Sequence, residues 1–260
     1  MVPRDISPGE EHIEFSDTDL HLCFGEGVRQ LFGETARGKY GCSVIPVGWY
    51  ELERISRKEE DIPREYDVLY ATTNYYQNNL YVSGPTLFSD TDLWRTQQTI
   101  LGALGRMKVR TAFKLHSGNY EEGHIRDFIR EKGLGFISVI KSERSFQDLV
   151  DHSGLVVIDF PSTTLLQAVA TKKPVFVLTR HLPLTADVKN LLRKRAYCCD
   201  DLDKLLSLLE RFIHEGPSIG GPDTLNQEFL ERYGVYIDDG KVLERVLNIL
   251  LGLPPATRSR

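Results

Sequence analysis

Three short stretches of this 260-residue chain place hydroxyls, a cation and an imidazole where they could do chemistry. In the first, Leu155-Val156-Val157-Ile158 is an unbroken apolar run, which reads as a buried parallel strand. It stops at Asp159-Phe160-Pro161, and Ser162-Thr163-Thr164 then open a segment of helical character, Leu165 to Ala170. Pro161 forces Phe160 into an extended conformation, and Ser162 suits a helix N-cap. Hydroxyls and first-turn N–H groups are then expected at the carboxyl edge of a parallel sheet, where α/β proteins bind phosphates. The plainer alternative is that Ser162 caps a helix and does no more.

The second stretch is Thr111-Ala112-Phe113-Lys114-Leu115-His116-Ser117. Residues i and i+2 of a strand share a face, so Lys114 and His116 are expected side by side. A cation paired with a titratable donor suits a diphosphate and a leaving oxygen. The alternative is a surface lysine beside a loop histidine. In the third stretch, Tyr70 to Tyr76, residues Thr72, Thr73 and Asn74 could hydrogen-bond a donor, and Tyr75 and Tyr76 could stack on a base or sugar. Otherwise one of those tyrosines is core and the other exposed.

Several chemistries find no support. Gly25-Glu26-Gly27 and Gly48 read as turn glycines and make no dinucleotide fingerprint, and there is no P-loop, HExxH or GxSxG pattern. Asp17 and Asp19, like Asp90 and Asp92, have DxD spacing, but loops often do, and no metal or other cofactor is expected. The four cysteines lack CxxC spacing, and Cys198-Cys199 reads as a strand end; structural zinc is not expected, and a reducing cytoplasm is the default. A net charge of -5 argues against a nucleic-acid partner. No apolar run reaches the roughly 18 residues of a membrane span, and Met1 to Asp5 is no signal peptide. The expectation is a cytoplasmic protein with at most peripheral membrane association.

The elements that must position these groups alternate. Strands are expected at the start of the stretch Leu20 to Gly27, before its glycine turn, and at Val44–Gly48, Asp67–Thr73, Arg110–Leu115, Gly135–Ile140, Leu155–Asp159, Val175–Leu178 and Tyr197–Cys199. Between and after them come helices: a short one from Val28, then Glu51–Arg57, Asp92–Met107, Glu121–Lys132, Ser145–Asp151, Thr163–Thr171, Ala186–Arg195, Leu202–His214, Leu225–Tyr233 and Lys241–Leu250. This order implies βαβ units, so the expected class is α/β, a Rossmann-like doubly wound parallel sheet. Residues 1–18 form a polar lead-in of low order, 19–66 an N-terminal strand–helix appendage, 67–252 the Rossmann-like domain and 253–260 a tail.

The series Val47-Gly48, Leu69 to Thr73, Lys114-Leu115-His116, Ser145 to Val150, Ile158 to Thr164, Ala168 and Lys173-Pro174 resembles the C-terminal half of GT-B glycosyltransferases. The resemblance spans about residues 18–252 and is greatest to bacterial surface-carbohydrate and capsule-type transferases and to CDP-glycerol glycerophosphotransferases. It implies that residues 67–252 bind a nucleotide-activated sugar or polyol, as a single GT-B C-terminal-type domain working without metal. His116 and Ser162-Thr163-Thr164 match motifs that hold the donor phosphate in those families, and His116 would be the catalytic group at the leaving oxygen. Ser117 stands where the histidine motif has proline. The acceptor half has no counterpart, so the resemblance implies a partner chain or domain that supplies it. The alternatives are a non-catalytic or split-enzyme subunit, or a sugar-nucleotide epimerase-like enzyme.

Overall fold

The computed structural model describes residues 12, 14–58, 62–73, 75, 89–116, 122–182, 184–235 and 239–252. The chain opens with a βαβ unit: β1 (Leu20–Cys23), α1 (Glu26–Tyr40) and β2 (Ser43–Pro46), with the two strands paired in parallel. Helix α1 is longer than the short helix expected from Val28. Gly33 and Gly38 each cost it up to about 1 kcal/mol, but Val28, Phe32 and Ala36 recur every fourth residue and are all buried. It stops where Gly41 turns left-handed, at φ 71°. Helix α2 (Tyr50–Ser56) leads into the main sheet.

That sheet has six strands: β3 (Tyr66–Ala71), β4 (Thr111–Lys114), β5 (Ile137–Ile140), β6 (Ser153–Ile158), β7 (Val175–Leu178) and β8 (Tyr197–Cys199). Their order is β5-β4-β3-β6-β7-β8, and every pairing is parallel. The crossovers carry α3 (Asp90–Met107), α4 (Glu122–Glu131), α5 (Phe146–Asp151), α6 (Thr163–Val169) and α7 (Ala186–Arg195). The chain steps outward from β3 to β5, then returns to the other side of β3 with β6. The winding therefore reverses between β3 and β6, which makes their carboxyl ends a topological switch point.

Period-two alternation divides the core. Leu69, Ala112, Val156, Ile158, Val175 and Val177 pack on one face with α6 and α7, while Val68, Tyr70, Phe113, Leu155, Val157 and Phe176 pack on the other with α3 and α8 (Leu202–Glu215). Cys23, Val28, Phe32 and Val44 of the opening unit belong to the first of these cores. So does Phe15, which packs on Phe32 and Tyr40; the end of the expected lead-in is thus built into the fold.

Gly25 and Gly27 are packing glycines rather than turn glycines. A Cβ on Gly25 would strike the Arg232 carbonyl, and one on Gly27 the Tyr233 ring. The expected helix Leu225–Tyr233 is instead α9 (Glu228–Leu230) followed by a wider π-type turn, Glu231–Val235. Side chains of Asp223 and Asn226 accept the backbone N–H groups of Leu225 and Glu228, which delays the helix start. The last helix, α10 (Val242–Gly252), buries Val242 but leaves Leu243, Leu247, Leu250 and Leu251 between 52% and 82% exposed.

Candidate functional site

The register gathers most of the expected site residues on one edge. Ala71, the last residue of β3, pairs with Lys114 at the end of β4 and with Ile158 at the end of β6. Thr72-Thr73, Lys114 to His116, and Asp159 to Thr164 therefore leave three neighbouring strands at their carboxyl ends. Asn74, Tyr76 and Ser117 lie outside the described residues.

Asp159 is the hub of this edge. It is fully buried, and its Oδ2 accepts hydrogen bonds from Tyr70 Oη at 2.6 Å and Thr72 Oγ1 at 2.9 Å. Its Oδ1 takes no bond among the described residues. Gln97, buried on α3, donates through Nε2 to Thr72 Oγ1 and accepts the Tyr75 hydroxyl on Oε1. Each donation runs toward the carboxylate: Tyr75 to Gln97, Gln97 to Thr72, and Thr72 to Asp159. Burial pushes Asp159 up to about 6, against the lowering effect of the bonds from Tyr70 and Thr72. The Thr72 hydrogen is committed to Asp159, so its hydroxyl can offer a ligand only a lone pair. Tyr75 is buried in the core.

The turn after β6 is partly exposed. Ser162 takes the N-cap position of α6 with extended backbone but makes no side-chain cap bond, unlike Ser145, Thr185 and Asp201 at α5, α7 and α8. Its Oγ instead pairs with Thr164 Oγ1 at 3.1 Å, while Thr163 is exposed. Ser162 thus leaves the first-turn N–H groups of α6 without a side-chain cap.

Lys114 and His116 do not share a strand face. Strand β4 ends at Lys114, and the N–H of Leu115 gives one last bond to Ile140 O at 2.9 Å. His116 lies beyond it and is exposed. The Lys114 ammonium bonds the carbonyl of Lys141, past the end of β5, and burial lowers its pKa. It is turned toward β5, away from the switch point.

The sequence reading missed Gln97 and His181. His181, on the loop after β7, is buried, and its Nε2 lies 3.4 Å from Thr96 Oγ1. Thr96 gives its own hydrogen to Asp92 O at 2.9 Å, so His181 must be the donor from Nε2. Burial and nearby Arg180 push His181 down to about 4, leaving a neutral imidazole at this edge. A buried glutamine and a loop histidine carry no local pattern; only Asp159, an acid ending an apolar strand, was visible as an anomaly.

Among the described residues, no group of three or more His, Cys, Asp or Glu could hold a metal ion. Asp92 of the second DxD pair closes a capping box with Ser89 at the start of α3. All four cysteines are free thiols, and burial pushes Cys23 and Cys198 up to about 11, so neither is an activated nucleophile.

Solved structures of similar fold include glycosyltransferases. The pneumococcal O-GlcNAc transferase GtfA, in complex with UDP and GlcNAc, superposes with a TM-score of 0.57 at 10% identity, over 92% of this chain and 46% of its own. A TarM variant of S. aureus, in complex with fondaparinux, α-GlcNAc-glycerol and UDP, gives 0.56 at 10% identity, over 93% and 46%. WaaG, a glycosyltransferase involved in lipopolysaccharide biosynthesis, gives 0.54 at 11% identity, over 94% and 66%. The fold is that of one half of a GT-B glycosyltransferase. No protein-family model matches the sequence, and no curated protein matches it. The chain spans about half the length of GtfA and TarM. Within it, Asp159 and the Ser162–Thr164 turn stand at the switch point of the sheet. No helix among the described residues is long and apolar enough to cross a membrane.

Proposed function

We propose that this chain is the donor-binding half of a metal-independent glycosyltransferase of surface-polysaccharide biosynthesis, acting in the cytoplasm on a nucleotide-activated sugar or polyol. The observation that carries the reading is that the segments Thr72-Thr73, Lys114 to His116 and Ser162 to Thr164 leave three adjacent strand ends, two of which, β3 and β6, flank the switch point. The donor phosphates would lie over the uncapped first turn of α6, held by Ser162, Thr163 and Thr164. Lys114 would neutralise them by exchanging the Lys141 carbonyl for phosphate oxygen. Transfer breaks the bond between the sugar carbon and a phosphate oxygen, and charge grows on that oxygen. His116 would meet it there with a hydrogen bond or a proton. Donors aimed at developing charge are the main catalytic contribution a half-site can make. That GtfA and TarM were solved with UDP supports a nucleotide ligand.

The stripe on α10 supports a partner for the acceptor half. Leu243, Leu247, Leu250 and Leu251 fall at i, i+4, i+7 and i+8, one face of a helix. Glu244 and Asn248 lie on the same helix, and Arg245, its one basic residue among the described residues of α10, is tied to Asp239 at 2.6 Å and Val47 O at 3.0 Å. A second α/β body, joined to this one or on a separate chain, is the occupant that fits a half-length fold. The fold is also similar to a chain of the GtfA/B complex, with a TM-score of 0.52 over 45% of that chain, which is in keeping with a partner.

A thermal-shift screen of the purified chain against CMP, CDP, UDP and GDP tests the donor reading. A nucleotide at a hundredfold excess over its Kd stabilises the folded state by about 2.7 kcal/mol and raises Tm. Flat melting curves with all four at millimolar concentration would sink it.

A further inference from the structure

We propose that Asp159 is the positioning residue of this edge, locking the loop after β3 against the turn after β6 and so setting the affinity for nucleotide. The proposal rests on the donor-site reading and concerns a residue that reading does not use. Backbone pairing between β3 and β6 ends at Ala71 and Ile158. Beyond that rung, the next tie is made by side chains, since Thr72 follows Ala71 and Asp159 follows Ile158.

One oxygen makes the tie. Asp159 Oδ2 accepts from Tyr70, within β3, and from Thr72, just past its end. Gln97 extends the same chain to α3, and Tyr75 closes it back onto the β3 loop. Tyr70, Gln97 and Asp159 are fully buried, so a group rotated out of the chain loses its hydrogen bonds where water does not replace them. The positions of Thr72 and Thr73 relative to Ser162 are thus fixed by a carboxylate that itself lies below the surface.

The geometry also says which property of Asp159 matters. Both side-chain bonds go to Oδ2 and none among the described residues to Oδ1. An amide whose carbonyl oxygen takes the place of Oδ2 keeps both bonds, whereas an apolar side chain of similar size keeps neither. Acceptor position, not charge, is the positioning element.

Hydrogen exchange and calorimetry with UDP and CDP on the full chain test this. Asp159→Leu should speed amide exchange at least tenfold in the segments 70–73 and 159–164, and weaken nucleotide binding at least tenfold. Asp159→Asn should speed exchange in neither segment and should leave nucleotide binding within threefold of the parent, a rescue that a requirement for charge would not allow. Thr72→Val, which cuts the tie without touching the acid, should speed exchange of 70–73, and it serves if Asp159→Leu does not fold. Exchange unchanged in Thr72→Val overturns the proposal whatever the Asp159 variants do. A parent chain that binds neither nucleotide overturns the donor reading and this proposal together. A parent that binds, with Asp159→Leu binding equally well, overturns the positioning role alone.

Discussion

Tyr70 Oη lies 2.6 Å from Asp159 Oδ2, with both residues fully buried and 89 positions apart in the chain. The pair sits in the joint between the two strands at which the sheet reverses, and it sets a measurable pH dependence. Burial lifts Asp159 from the ordinary 3.8 to about 6. The folded chain then holds this proton more tightly than the unfolded chain does. Its contribution to stability is complete below the unfolded value and is lost as pH rises through about 6. Asn at this position does not titrate, so the advantage of Asp159→Asn over the parent should grow with pH. At pH 7.5 the variant is expected to be more stable by roughly 1–3 kcal/mol, the cost of an imperfectly compensated buried polar group. Urea denaturation at pH 7.5 and 4.5 checks this, and a gap of equal size at both pH values would contradict it.

Most strands and helices were legible because hydrophobic period and punctuation are local. The run Leu155 to Ile158, Pro161 and the Ser162 turn announce a strand, a break and a helix within ten residues. The same locality explains what was missed. Gln97 and Thr72 are 25 positions apart and Thr96 and His181 85, so no window along the chain contains either pair. Lys114 and His116 were expected on one strand face because they are two apart, but β4 ends at Lys114 and the period no longer applies. Ser162 has the right identity and backbone for a cap, yet Thr164 two residues on takes its hydroxyl instead.

Arg195 is a buried cation that donates to three backbone carbonyls. Nε reaches Val169 O at 3.2 Å, and Nη2 reaches Lys173 O at 3.1 Å as well as Thr171 O. These carbonyls lie at the end of α6 and in the turn before β7, where a helix leaves acceptors unmet. Arg195→Met keeps the apolar stem and removes the donors. Orphaned buried acceptors cost about 1–3 kcal/mol each, so a loss of about 3 kcal/mol or more is expected. The loss should appear as a lower urea midpoint with an unchanged slope; a midpoint matching the parent would show that the carbonyls find other donors.

The α10 stripe should behave as surface and not as core. Leu247→Glu is expected to leave folding stability within about 0.5 kcal/mol, because exposed positions carry little packing. Leu165→Ala, in the core, should cost roughly 2–5 kcal/mol. If the stripe is the face for an acceptor half, Leu247→Glu should also abolish association with a coexpressed partner while leaving nucleotide binding intact. Sedimentation velocity and calorimetry on the same preparation read both effects. A destabilisation by Leu247→Glu comparable to that of Leu165→Ala would mean that α10 is packed against the body of the chain.

His116 and Thr163 are exposed groups of the proposed donor site, one past β4 and one at the start of α6. Neither supports the core, so His116→Ala and Thr163→Ala should melt with the parent. Each removes a hydrogen-bonding group from the proposed phosphate site, and binding of the nucleotide found by thermal shift should weaken at least tenfold, about 1.4 kcal/mol. The two should differ in turnover. Thr163 is assigned to ground-state holding of phosphate, so its loss should appear mainly in binding. His116 is assigned to the leaving oxygen, where charge grows only as the bond breaks, so its loss should lower the rate further once an acceptor half is supplied. Calorimetry on the chain alone and single-turnover transfer in the reconstituted enzyme separate these effects. Equal losses of rate in the two variants would remove His116 from the leaving group and return it to phosphate binding.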